Sequence, residues 1–308
     1  MRIIASTILA VVLEIGAMSF AQAQVQQPGA RMLAFTAAGT DGFTFDTGVL
    51  QGKLRAGGKS TGLSSVVHLP TGMTMDSSMG LFGHYRVFSA NKRYGTAAWD
   101  WPSEAKLHLD GSVEVRWPST VDRPFELSAT YRWTAPDTLD LETRVLAKTN
   151  LQQFESFLAS YYAEGFTNSC VYVRTNSQAW LMTAAKSEGT WQAFPRDDDA
   201  ISIIQDGRWK FQPNPVDWVI RPPLAKTLGI RRCPANDLWA VAMSPPSDCF
   251  AVLTPFEAEP HRSMYLSLFG RDLKSGEMAR ARTRLIIRTG LAAKTLDQLY
   301  TDFLGQSR

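Results

Sequence analysis

From Met32 onward the chain is dominated by a period of two. In residues 138–146, Leu139, Leu141, Thr143 and Val145 fall on one side, and Asp140, Glu142 and Arg144 on the other. Side chains alternate faces along a strand but not around a helix, so this pattern predicts a strand with one buried and one wet face. That is the habit of antiparallel sheets. Short β-branched or aromatic runs of the same kind recur at 43–45, 49–54, 65–69, 125–133, 170–174, 230–233, 239–243, 249–253, 264–269 and 281–288, bounded by Gly, Pro and Asp. Residues 106–109 and 113–117 flank Asp110-Gly111 and read as a hairpin that turns His108 outward. Residues 201–205 and 208–211, around Asp206-Gly207, read as a second. Residues 154–162 fit strand or helix, and their aromatic content favours strand. Only 296–304, around Leu299, Tyr300 and Phe303, has helical spacing. No linker or repeat divides the chain. The expectation is an all-β protein: one antiparallel two-sheet supersandwich over 32–308, with a short C-terminal helix.

The first 23 residues read as an export signal. Arg2 precedes an apolar stretch over 3–20, and Ala21-Gln22-Ala23 fits the small-x-small cleavage rule. Glu14 interrupts the apolar run and argues against a retained anchor. The mature protein is thus expected to start at Gln24, with a flexible leader over 24–31, and to be periplasmic or secreted. No later stretch approaches the length of a spanning helix. The net charge of +3 is spread along the chain. Neither nucleic acid nor a membrane surface is therefore an expected partner. In an oxidising compartment Cys233 and Cys249 are the preferred disulfide pair, with three buried thiols as the alternative. The cysteines lack zinc spacing, and the acidic run Asp197-Asp198-Asp199 lacks alternating calcium ligands. The Gly-rich segment 56–62 lacks phosphate-loop spacing. No metal or cofactor is expected.

The chemistry-bearing residues concentrate in residues 80–104: His84, Tyr85, Arg86, Arg93, Tyr94, Trp99 and Trp101. If 84–88 is a regular strand, His84, Arg86 and Phe88 share one face, and Tyr85 and Val87 the other. Imidazole, guanidinium and indole together suit a sugar pocket; the same residues would also serve as an ordinary aromatic core. His261 follows Glu257 and Glu259 and precedes Arg262, an acid/base set on a loop. An epimerase or hydrolase would use His84 or His261 with Glu257 or Glu155. A lyase would use Tyr85 or Tyr94 as base, with Arg86 or Arg93 neutralising a uronate carboxylate. A non-catalytic glycan binder would instead present Trp99, Trp101, Trp117, Trp133, Trp209 or Trp218 as stacking platforms. A nuclease or protease would need a motif that the sequence lacks: it has no HExxH and no paired metal ligands.

The tail narrows the fold. Leu268-Phe-Gly-Arg-Asp-Leu-Lys-Ser-Gly-Glu277 leads into Ala279-Arg-Ala-Arg-Thr-Arg-Leu-Ile-Ile287. This Leu-x-x-Gly-Glu turn before a long alternating strand resembles the final strands of the galactose mutarotase-like supersandwich proteins. The resemblance implies that fold and a carbohydrate ligand or substrate, processed by epimerase-, lyase- or hydrolase-type chemistry. The Asn/His motif and Glu placement of aldose mutarotases are not matched here.

Overall fold

A computed structural model describes residues 33–40, 42–176 and 178–306; the export signal and leader lie outside them. The described residues form an all-β sandwich of three sheets. The nine-stranded sheet runs, in spatial order, through Gln178–Thr183, Asn168–Thr175, Leu224–Cys233, Leu238–Met243, Met278–Thr289, Thr138–Ala147, Phe125–Ala135, Val113–Trp117 and Glu104–Leu107. The seven-stranded sheet runs through Val219–Ile220, Trp191–Pro195, Cys249–Pro255, Ser263–Leu273, Leu151–Tyr161, Gly83–Ser89 and Lys92–Arg93. The alternation in Thr138–Ala147 falls as its sequence requires: Leu139, Leu141, Thr143 and Val145 are buried, and Arg144 is exposed. The 154–162 run is strand up to Tyr161, within Leu151–Tyr161, and Tyr162 just beyond it makes an isolated bridge with Asp76. Asp110-Gly111 turns a hairpin in which Glu104–Leu107 pairs with Val113–Trp117, and His108 is half-buried at its tip.

A third, smaller sheet adds to the two large sheets that form the expected sandwich. Its five strands, from Phe35–Ala37 to Met73–Thr74, form a meander in chain order. The rings of Phe35 and Phe45 lie 6.2 and 4.7 Å from Trp133. Each contact buries apolar surface that a free meander would leave wet. The main core lies between the two large sheets. It contains Val87, Phe154, Leu158 and Leu266 from one, and Trp117, Leu127, Leu141 and Leu285 from the other. The Leu273–Glu277 turn joins Ser263–Leu273 in the seven-stranded sheet to Met278–Thr289 in the nine-stranded sheet.

Two outer clusters complete the molecule. The helix Ala293–Gly305 lays Leu296, Tyr300 and Phe303 over the nine-stranded sheet, against Leu228, Ile230, Val241 and Ile286. On the outer face of the seven-stranded sheet, Phe88, Trp99, Phe157, Tyr161, Trp209 and Tyr265 cluster with Ala200, Ile203 and Ile204. These last three belong to a helix, Asp198–Gln205, where the sequence suggested a hairpin. Asp197 supplies the reason: its carboxylate accepts from the Ala200 amide at 2.9 Å, capping the first turn, while Asp198 and Asp199 complement the helix dipole. Asp206-Gly207 ends the helix instead of turning a hairpin, with Gly207 at φ +97°.

The expected Cys233–Cys249 bridge is not formed; all three cysteines are free thiols. Cys233 donates to Asn236 Oδ1 at 2.9 Å, and Cys249 to the Ala251 carbonyl at 3.2 Å. Burial pushes the Cys249 thiol up to about 12, so it stays protonated and unreactive.

Candidate active site

The strand Gly83–Ser89 brings the chemistry-bearing stretch into the seven-stranded sheet. Gly80, at φ +72°, starts the turn before it, where a Cβ would stand 2.5 Å from the Thr61 carbonyl. The strand is not regular. His84 pairs with Leu158 and Val87 with Ser156, so three steps on one strand oppose two on the other. This bulge corrects the face assignment. His84 and Val87 point into the inter-sheet core, whereas Tyr85, Arg86 and Phe88 all face the outer cluster.

His84 is sealed in that core at 0% exposure. Its Nδ1 meets Ser156 Oγ at 2.8 Å, and its Nε2 meets Thr143 Oγ1 of the opposite sheet at 3.1 Å. Trp117 packs edge-on to it at 5.7 Å. Burial lowers its pKa to about 3, so the ring stays neutral. It ties the two sheets together and cannot touch a solute. Tyr94 and Trp101 also belong to the inner core, around Phe125. The same core takes Trp117 and Trp133.

The outer face gathers the rest. Tyr85 stacks on Trp99 at 4.4 Å and 3°. Trp99 meets Tyr161 at 6.2 Å, and Tyr161 meets Tyr265 at 5.8 Å. Trp218 joins Tyr265 at 6.2 Å and Trp191 at 6.0 Å, and Trp191 reaches His261 at 5.6 Å. The result is a continuous aromatic floor, half-exposed at Tyr85, Trp191 and Trp218. Burial, the largest influence on both, pushes the Tyr265 hydroxyl up to about 12 and that of Tyr161 well above its usual range. Near neutrality both hydroxyls are hydrogen-bond donors rather than bases.

Arg86 and Arg93 stand at one end of the floor. The Arg86 guanidinium lies 5.0 Å from the Tyr85 ring and 5.1 Å from Trp209. Its Nη2 donates to the Asn214 carbonyl at 2.7 Å. Arg93 donates through Nη1 to the Phe211 and Pro213 carbonyls and through Nη2 to the Thr96 carbonyl. The two arginines thus clasp a strap, residues 211–214. The strap is rooted by Arg208, fully buried, which donates to Glu155 Oε2 at 3.0 Å and to Asp206 at 2.8 Å. Ser267 Oγ donates to the other Glu155 oxygen at 2.8 Å. Glu155 is therefore a strap anchor, its carboxylate taken by Arg208 and Ser267 rather than by an imidazole.

His261 stands at the opposite end. Its partner is Glu259, not Glu257: Nδ1 lies 2.7 Å from Glu259 Oε1, and the His261 amide donates to Oε2 at 2.8 Å. The Glu259 side chain is 10% exposed and that of His261 59%. The carboxylate thus fixes the ring and leaves Nε2 toward solvent. The loop bearing this pair is held from below by Arg231, 0% exposed, which donates to the carbonyls of Glu257 at 2.8 Å and Ser263 at 2.9 Å. Burial lowers the Arg231 pKa to about 10. Glu257 is half-buried, and its Oε2 lacks a hydrogen-bond partner.

Of the sequence candidates, the structure assembles Tyr85, Arg86, Arg93, Trp99 and His261 along one face; His84, Tyr94 and Trp101 lie across the sheet. Glu259, already in the acidic loop before His261, joins them, and Tyr161, Tyr265, Trp191 and Arg231, which carried no motif of their own, complete the arrangement. Among the described residues no group of three or more His, Cys, Asp or Glu could hold a metal ion.

No family model matches this chain, and no curated relative matches it. Solved structures do. The Slr1438 protein of Synechocystis sp. PCC 6803 superposes with a TM-score of 0.52 at 11% identity, over 80% of this chain and 95% of that one. A putative aldose 1-epimerase of Escherichia coli K12 gives 0.49 at 11% identity, over 80% and 98%. The heparan sulfate lyase of Pedobacter heparinus gives 0.48 at 8% identity, over 84% of this chain but 37% of the lyase. The likeness to Slr1438 is one of fold.

Proposed function

We propose that the protein is an exported carbohydrate-active enzyme. On this reading it binds a sugar on the aromatic floor and processes it by acid/base chemistry at His261. The observation that carries the reading is the Glu259–His261 pair standing at the edge of that floor, against Trp191. Ring faces suit the apolar face of a pyranose. A carboxylate on Nδ1 leaves Nε2 free to take a proton from a sugar hydroxyl or carbon and to return it. Tyr161 and Tyr265, held protonated, are placed to donate hydrogen bonds. This division favours His261 over a tyrosine as base. Export rests on the sequence of the first 23 residues, with Gln24 as the mature start.

The test is an assay of the purified mature chain on free aldoses, followed as anomer exchange by NMR, and on glycan polymers, followed as new reducing ends and unsaturated product. Glu259→Gln is expected to lower the rate about a hundredfold while sugar binding persists. Turnover unchanged in Glu259→Gln and in His261→Ala would refute the assignment. Binding without turnover in the wild type would instead favour the non-catalytic glycan binder, which needs the floor but not the pair.

A further inference from the structure

The strap end of the floor is built from donors with nothing to give to. Arg86 is 4% exposed, yet its Nε and Nη1 have no hydrogen-bond partner. Nε of Arg93, Nε1 of Trp209 and Nε1 of Trp218 are likewise buried and unpartnered. These residues are neighbours: Arg86 lies over Trp209, Trp209 is 5.3 Å from Trp218, and Arg93 clasps the same strap as Arg86. Neither arginine forms an ion pair among the described residues; their partners on the strap are all neutral carbonyls. Burial, followed by the nearby Arg86 charge, lowers the Arg93 pKa. A buried guanidinium beside a second, half-exposed one is costly without an anion between them, and buried donors are almost always satisfied in native proteins. A cluster of donors with no acceptor calls for an acceptor from outside.

We infer that Arg86 and Arg93, with the Trp209 and Trp218 N–H groups, form an oxyanion subsite that takes the carboxylate or sulfate of an acidic sugar. The inference rests on the carbohydrate reading above and names its substrate class. Nη2 of Arg86, which now gives to the Asn214 carbonyl, is flanked by the spare donors Nε and Nη1, so an oxyanion that displaces that carbonyl gains a whole edge of the fork for two of its oxygens. They carry no accessible surface, so the strap must lift for the anion to enter. Its attachments at this point are three carbonyl contacts, which a charged acceptor can replace. In the bound state the sugar ring then extends over Tyr85 and Trp99 toward His261.

The experiment measures binding by calorimetry for uronate-containing oligosaccharides, their carboxyl-reduced neutral counterparts, O-sulfated neutral counterparts, and inorganic sulfate. The proteins are wild type, Arg86→Gln and Arg93→Gln. Arg93 is half-exposed, so its variant remains informative if Arg86→Gln does not fold. The expected result is that acidic saccharides bind about tenfold or more tightly than their reduced forms, and that either variant removes most of that preference. The uronate and sulfate arms decide which oxyanion fits. Equal affinity for acidic and reduced sugars, or a preference that survives both substitutions, overturns the subsite while leaving sugar binding intact. Sulfate binding that needs Arg93, with no saccharide bound, keeps the subsite and sinks the carbohydrate reading. No binding of any probe overturns both.

Discussion

His84 predicts how the fold responds to acid. Folded, it titrates at about 3, against 6.5 for a free imidazole. Between those values the unfolded chain holds a proton that the native protein refuses. Stability therefore falls as pH drops below 6.5, and the full margin is present above it. Each pH unit in this window costs about 1.4 kcal/mol, so acidification to about pH 4.5 removes about 3 kcal/mol through this residue alone. That is a sizeable fraction of the 5–15 kcal/mol typical of a domain. The cause is local: both ring nitrogens face hydroxyls, of Ser156 and Thr143, in a sealed layer beside Trp117. The assay is urea unfolding followed by tryptophan fluorescence at about pH 7 and about pH 4.5, for wild type and His84→Gln. The variant is less stable at neutral pH but lacks the acid-linked loss. The wild type should lose about 3 kcal/mol more than the variant between the two pH values. Other titrating groups act on both proteins and cancel in the comparison. Parallel losses would refute a neutral, buried His84.

Arg208→Leu strands the Glu155 carboxylate at 0% exposure and should cost about 3–5 kcal/mol, seen as a lower thermal midpoint. The double variant with Glu155→Leu should recover part of that loss. Arg231→Met frees the carbonyls of Glu257 and Ser263 and should destabilise the protein by about 3 kcal/mol. It should also broaden the His261 imidazole signals in NMR, which a purely structural change elsewhere would leave sharp. Gly83→Ala places a Cβ 2.5 Å from the Thr61 carbonyl and should lower the urea midpoint, by about 1–3 kcal/mol of overpacking.

Strands were legible wherever one face is wet. Thr138–Ala147 alternates because its outer side meets water, and the same alternation reports its register. The helix Asp198–Gln205 was misread because Ile201, Ile203 and Ile204 are β-branched and Asp206-Gly207 is an ordinary hairpin turn signal. The deciding feature was the capping Asp197, which the acidic run disguised as a loop or an ion site. The third sheet was equally hidden. Its strands resemble any others, and its separateness depends on which partners they choose, a matter of tertiary packing rather than local pattern.

The site fared differently, and one inserted residue explains much of the difference. A regular strand at 84–88 would place His84 and Arg86 on one face, with the imidazole beside the guanidinium. The bulge opposite Phe157 sends His84 inward and Tyr85 and Arg86 together outward. The same side chains then divide into a structural imidazole, which holds two sheets together, and an outer pair that meets Trp99 and Trp209. No composition or spacing within those five residues reports the bulge, because it is set by the register of Leu151–Tyr161. The remaining parts come from five further segments, each unremarkable alone: Trp99, Tyr161, Trp191, the 206–218 region and the 255–265 region. Glu259 rather than Glu257 reaches His261 because Arg231 pins the loop by its carbonyls and so sets which carboxylate the turn brings back. A buried arginine on the opposite sheet thus selects the acid/base pair, and that choice is visible only once both sheets are in place.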